Sequence, residues 1–177
     1  VAMTADGAAY PDMAALLQYC RRSANPIGRL LLHLYGVSDA PALAQSDAIC
    51  TALQLINFWQ DLSVDIPRGR FYLPLADCAA HGIAIHDPAT QFPALQASAA
   101  TRGLIRALAD QARATMLAGA PLVHRLSGRT GWELRAVVQG GLRVLDHIAA
   151  LNDDTLSHRP TLRRRDGWMI AARALAM

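Results

Sequence analysis

The chain contains no lysine and a single glutamate, Glu133. All 17 basic residues are therefore arginine, and every other acid is aspartate. Arginine stays ionised and makes forked hydrogen bonds that suit phosphate or carboxylate. So broad a bias also reads as the mark of a GC-rich genome. The net charge of +3 is too small to point to nucleic acid, and the arginines are scattered along the chain. Cysteine is scarce. Cys20, Cys50 and Cys78 form no CxxC pair, which excludes a disulfide framework and reads as buried thiols in a reducing cytoplasm. The histidines show no HxxxH spacing, so a zinc site has little support. No apolar run approaches the roughly 18 residues of a membrane span. The first residues lack the charged and apolar regions of a signal peptide, and position 1 is Val1. On these absences a cytoplasmic protein is expected. Aromatics make up 6% and β-branched runs are short, which weighs against a sheet protein.

What is abundant is alanine and leucine, with 53% of residues hydrophobic and 18% charged. That composition excludes a disordered chain and supports a packed all-α domain. Apolar positions recur at three and four. The pattern predicts helices over residues 11–24 and 26–35, with an interruption at Asn25-Pro26 and a C-cap at Gly36. Ser38 or Asp39 caps a helix over 41–66 that Pro67 and Gly69 stop. A loop over 67–74, a short helix over 75–80 and a second loop over 82–92 follow. Helices over 93–118 and 130–151 flank a short apolar turn, and Thr161 caps a last helix to 177 after a polar loop.

Asn57, Asp61 and Asp65 stand at i, i+4 and i+8, which puts them on one helical stripe, with Gln54 a turn earlier. Their flanks (Leu53, Ile56, Phe58, Trp59, Leu62, Val64) are apolar nearly all round, so this helix is expected to be buried. The stripe holds no cation of its own, and unpaired buried carboxylates are costly. A divalent cation would offset that cost, and Mg²⁺ takes oxygen ligands while holding substrate phosphates. Arg68 and Arg70 lie just beyond in a glycine-containing loop with Tyr72, an arrangement that suits a phosphate-bearing ligand. A solvated polar face and an exposed basic turn are the plainer readings. In the stretch from Tyr19 to Leu30, the small residues Ser23, Ala24 and Gly28 allow either a ligand or a second helix to approach closely.

Three runs carry a family resemblance. They are Tyr-Cys-x-x-Ser-Ala-x-Pro-x-Gly-Arg-Leu from Tyr19, Leu-Gln-Leu-x-Asn-Phe-Trp-Gln-Asp-x-x-x-Asp ending at Asp65, and Gly-Arg-x-Tyr-Leu-Pro from Gly69. Together they resemble the squalene/phytoene synthase family, most of all its bacterial hydroxysqualene branch in hopanoid synthesis. Later residues, including Gly140-Gly141-Leu142-Arg143 and Arg159-Pro160, fit the same family. The resemblance implies an all-α isoprenoid-synthase bundle around a deep apolar cavity. It implies Mg²⁺ held by Asp61 and Asp65, with Asn57 beside them. It places Gln54, Arg70 and Tyr72 near a diphosphate, Tyr19 against the reacting allylic group, and Gly28 where a prenyl chain needs room. The implied reaction converts presqualene diphosphate to hydroxysqualene; the alternative is head-to-head condensation of two prenyl diphosphates to squalene or phytoene.

The family's first Asp-rich motif has no counterpart before Tyr19, where only Asp6 and Asp12 occur. Residues 10–177 are therefore expected to be the C-terminal part of the fold and residues 1–9 a disordered or partial N-terminal segment, with activity belonging to a longer parent. An open cavity wall would favour homo-oligomers. A non-catalytic all-α assembly module is the competing class. Arg163, Arg164 and Arg165, followed by an Ala-rich helix, suggest a solvated helix start or peripheral contact with the inner membrane.

Overall fold

The computed structural model describes residues 9–177; residues 1–8, most of the expected N-terminal segment, lie outside them. Nine α-helices and two short 3₁₀ turns make up the described residues, with no strand among them. Asp12 caps α1 (Met13–Ser23), accepting from the Ala15 amide at 2.8 Å. Ala24 keeps right-handed helical angles, so α2 (Asn25–Leu34) follows at a joint rather than a turn, with Pro26 in its first turn where a missing N–H costs nothing. Buried Asn25 accepts from the Thr51 hydroxyl at 3.0 Å, tying the joint to the next helix.

Asp39, not Ser38, caps α3 (Ala40–Gln60). This is the central element, packed against α1, α2, α7 (Ala99–Gly119) and α8 (Gly128–Ala150). Ala42, Ile49, Ala52, Leu55, Ile56, Phe58 and Trp59 are buried, which is the nearly all-round burial that its composition predicts. Its neighbours approach closely where glycine removes a side chain. A Cβ on Gly119 would sit 2.6 Å from the Gln45 carbonyl oxygen.

The structure corrects four boundaries. The helix expected over 41–66 is broken at Asp61, and α4 (Leu62–Asp65) and a 3₁₀ turn at Ile66–Arg68 complete it. The Ser63 amide donates to the Thr155 carbonyl at 3.2 Å, so a loop from far along the chain bends the helix there. After α5 (Leu75–Ala80), the expected loop over 82–92 is half helix. Asp87 caps α6 (Pro88–Ala97), and Ser98 then starts α7 by accepting from the Thr101 amide at 3.2 Å. Pro93 therefore lies inside α6 and begins no helix. Finally, α9 (Arg164–Leu175) is started by Asp166, whose carboxylate accepts from the Arg163 amide at 2.6 Å, and not by Thr161.

Ion pairs hold the last two helices in place. Asp146 on α8 accepts from Arg113 of α7 at 2.9 Å and from Arg173 of α9 at 2.8 Å. Asp166 is buried against Arg143 at 2.8 Å and His147 at 3.1 Å. The Arg163 amide and these partners outweigh its burial and hold its carboxyl far below the ordinary range. Among the described residues, no helix is long and apolar enough to cross a membrane.

Candidate active site

The break after Gln60 is where the candidate residues gather. Asn57 is exposed on the last full turn of α3, and its amide nitrogen lies 3.3 Å from a carboxylate oxygen of Asp61. One turn on, Asp65 is buried at 9% exposure. Burial pushes its carboxyl above the usual range and the Asp61 charge adds to this, while Arg70 and Arg68 oppose it. The glycine at Gly69 (φ +76°) turns the chain back, so that the Arg70 amide donates to the Asp65 carbonyl at 2.9 Å. The Arg70 guanidinium then lies 3.6 Å from the Asp65 carboxylate.

The expectation that the stripe has no cation partner is overturned. Arg159 grips Asp61 with two donors, Nε at 2.6 Å and a terminal nitrogen at 3.2 Å. It comes from the loop over 152–163, 98 residues further along the chain. That loop is seated by further bonds, from Gln60 to the Pro160 carbonyl at 2.7 Å and from Gln96 to the Leu156 carbonyl at 2.9 Å. No sequence spacing could reveal this pairing; the only signal was the Arg159-Pro160 dipeptide.

An aromatic wall stands beside the carboxylates. Tyr72 stacks on Phe58 with ring centroids 4.0 Å apart, and Tyr19 packs against Phe58 at 6.1 Å. Tyr10, which sequence reasoning passed over, touches both tyrosines, at 6.0 Å from Tyr19 and 6.2 Å from Tyr72. Its hydroxyl is buried with no partner among the described residues, and burial next to Tyr19 pushes its pKa up to about 12. Tyr72 is raised as well, by burial and then by the Asp65 charge.

Tyr19, Asn57, Asp61, Asp65, Arg70 and Tyr72 thus share one neighbourhood. Gly28 does not join it. It lines a separate cavity of about 300 Å³ between α2, α3 and α8, walled by Ile49, Cys50, Leu53 and Leu134 among others. A Cβ on Gly28 would collide with Ser46 Oγ and Cys50 Sγ, so the space beside this glycine is taken up by α3. The cavity is open where Ile27 and Leu31 are exposed. Its wall residues Cys50 and Leu53 precede Asn57 and Asp61 on the same side of α3, by about 12 Å from Leu53 to Asp61. Gln54 is half-buried on that helix a turn before Asn57.

Comparison with known proteins gives this arrangement a family. The squalene/phytoene synthase model matches residues 1–166. The chain belongs to the squalene/phytoene synthase family. A phytoene synthase of Thermus thermophilus is 32% identical over 165 residues, covering 91% of this chain and 54% of the relative. A hydroxysqualene synthase of Sinorhizobium fredii is 31% identical over 157 residues, covering 88% of this chain and 50% of the relative. The crystal structure of squalene synthase HpnC from Alicyclobacillus acidocaldarius superposes with a TM-score of 0.76 at 34% identity, over 82% of this chain and 54% of that one. The chain therefore spans about half the length of the relatives it matches. The family's helical fold is the fold seen here.

The donor set at the site fits a hard cation in kind. Asp61, Asp65 and Asn57 offer only oxygen ligands, one helical turn apart, and the mutual repulsion of the carboxylates is what a cation would relieve. No group of three acid, histidine or cysteine ligands converges among the described residues. The remaining ligands of such an ion would have to be water and an anion.

Proposed function

We propose that this chain takes part in the Mg²⁺-dependent processing of a prenyl diphosphate, and that the reaction of the complete protein is presqualene diphosphate to hydroxysqualene. One observation carries the reading: two aspartates one turn apart, each paired with one guanidinium group (Asp61 with Arg159, Asp65 with Arg70), directly follow the helix α3 whose Cys50 and Leu53 line an apolar cavity. Anionic and greasy halves of one substrate need those two environments side by side.

Asp61 and Asp65 would hold the ion, with the Asn57 carbonyl oxygen in reach once its amide turns from Asp61. When bound, Mg²⁺ supplies positive charge that stabilises a departing diphosphate. Arg70 and Arg159, both about half exposed, would leave Asp65 and Asp61 as the cation takes those carboxylates, and would then turn toward the anion and share that charge. The packed rings of Tyr19, Phe58 and Tyr72 form an electron-rich wall beside these carboxylates, which would stabilise an allylic cation without offering it a strong nucleophile. Leu53, Ile49 and Leu134 keep the hydrocarbon dry, so that water does not quench the cation indiscriminately. Tyr19 and Asn57 are the side chains proposed to manage the reacting group and the capturing water.

The likeness to phytoene synthases favours a second reading, head-to-head condensation of two prenyl diphosphates. Product analysis separates the two. The protein carrying this chain is incubated with Mg²⁺ and either presqualene diphosphate, with NADPH present because squalene formation consumes a hydride, or a farnesyl or geranylgeranyl diphosphate, and the extract is resolved by gas chromatography. Hydroxysqualene from presqualene diphosphate is the expected product; squalene in its place, or phytoene from geranylgeranyl diphosphate, overturns the branch assignment. Asp61→Asn and Asp65→Asn are expected to abolish turnover while leaving the helical circular dichroism intact. Wild-type rates in both variants would remove the metal assignment.

A further inference from the structure

Helix α9 has two unlike faces. Inward, Asp166 and Ala174 are buried, and Ile170 and Met177 are half-buried. Outward, Arg164, Trp168, Ala172 and Leu175 recur at helical spacing, and all are exposed. Trp168 is 83% exposed, the highest value among the exposed large apolar side chains of the described residues, and Leu175 is 68% exposed. Leu162, just before the helix, is 45% exposed. Arg173 is paired with Asp146, but Arg164 and Arg165 make no ion pair among the described residues. An indole left in water beside unpaired guanidinium groups on one outward face is the composition of a helix that lies in a lipid interface. The indole enters the headgroup boundary, and the arginines meet anionic headgroups.

We infer that the outer face of α9, with Arg164, Arg165, Trp168 and Leu175, docks the protein on an anionic lipid bilayer. Charge complementarity selects the bilayer over a second copy of this chain, since two such faces would bring arginine against arginine. The inference is independent of the proposed reaction.

The test is co-sedimentation of the chain with phosphatidylglycerol/phosphatidylcholine vesicles and with phosphatidylcholine vesicles alone. Binding to the mixed vesicles is expected, with release at high salt and little binding to the neutral ones. Arg164→Gln with Arg165→Gln is expected to weaken partitioning by about fivefold per arginine, about 25-fold in all. Trp168 emission is expected to shift to the blue and to be quenched by brominated lipid, and Trp168→Phe should remove the larger part of that response. These side chains are exposed, so the variants should keep the fold, which circular dichroism checks. Asp61→Asn should bind vesicles like the wild type, which separates this inference from the metal assignment. Equal binding to both vesicle types, no binding to either, or a dimer that Trp168→Ala dissolves would each overturn it.

Discussion

Replacing Arg159 by glutamine tests whether Asp61 is a metal ligand held shut by a guanidinium. In the structure Arg159 engages both oxygens of Asp61, at 2.6 and 3.2 Å, with 47% of its own side chain exposed. A two-pronged but half-exposed pair of this kind is worth about 1 kcal/mol. A divalent cation arriving at Asp61 must break it. The displaced guanidinium then remains nearby and repels the ion by about another 1 kcal/mol at near-aqueous screening. Removing both terms sums to about 2 kcal/mol, or about 30-fold in affinity. Arg159→Gln is therefore expected to bind Mn²⁺, a paramagnetic stand-in for Mg²⁺, about 10- to 30-fold more tightly at low ionic strength. The advantage should shrink as salt screens the repulsion. The assay follows the free-ion electron paramagnetic resonance signal as the chain is titrated, with Asp61→Asn as the variant that loses the site. Equal or weaker binding by Arg159→Gln would refute the reasoning, because it would mean that the guanidinium and the cation do not compete for Asp61.

Three further outcomes follow from the packing. At Asp146, burial raises the carboxyl but the bonds from Arg173 and Arg113 prevail and leave it below the ordinary value. Asp146→Asn is expected to lower stability in urea by about 1–2 kcal/mol at neutral pH. With the folded pKa depressed, this contribution is present above the unfolded pKa and is lost as pH falls through the folded one, so wild type and variant should converge in acid. Gly119→Ala would drive a methyl group into the α3 backbone at Gln45 and Ile49, which cannot swing aside, and is expected to cost about 2–3 kcal/mol by thermal or chemical unfolding. Burial pushes the Cys20 and Cys78 thiols up to about 11. Both are expected to resist a thiol reagent in the native chain at neutral pH and to react fully in denaturant; rapid native labelling would show that the α1 and α5 packing is wrong.

Much of the fold was legible in the residues because its signals are local. Asp12 and Asp39 cap the helices that follow them, Gly36 and Gly69 take the left-handed angles that end others, and the apolar wrap of α3 announces its central position. The misreadings have two causes, one local and one remote. Pro93 looked like a helix start by composition, yet Asp87 and Ser98 place the caps on either side of it. The break at Asp61 carries no local signal, because the Thr155 carbonyl that takes the Ser63 amide is remote in sequence.

The candidate site divides along the same line. The spacing of Asn57, Asp61 and Asp65 is a property of the helical repeat, so one strand of text suffices to put them on one side and to suggest an oxygen-ligated cation. Which charges answer them is a property of how the chain returns: Arg159 on Asp61, Tyr10 completing the wall with Tyr19 and Tyr72, and α3 filling the space beside Gly28. Periodicity is encoded in neighbours along the backbone, whereas partners across the bundle are chosen by packing, and packing exists only once the helices have met.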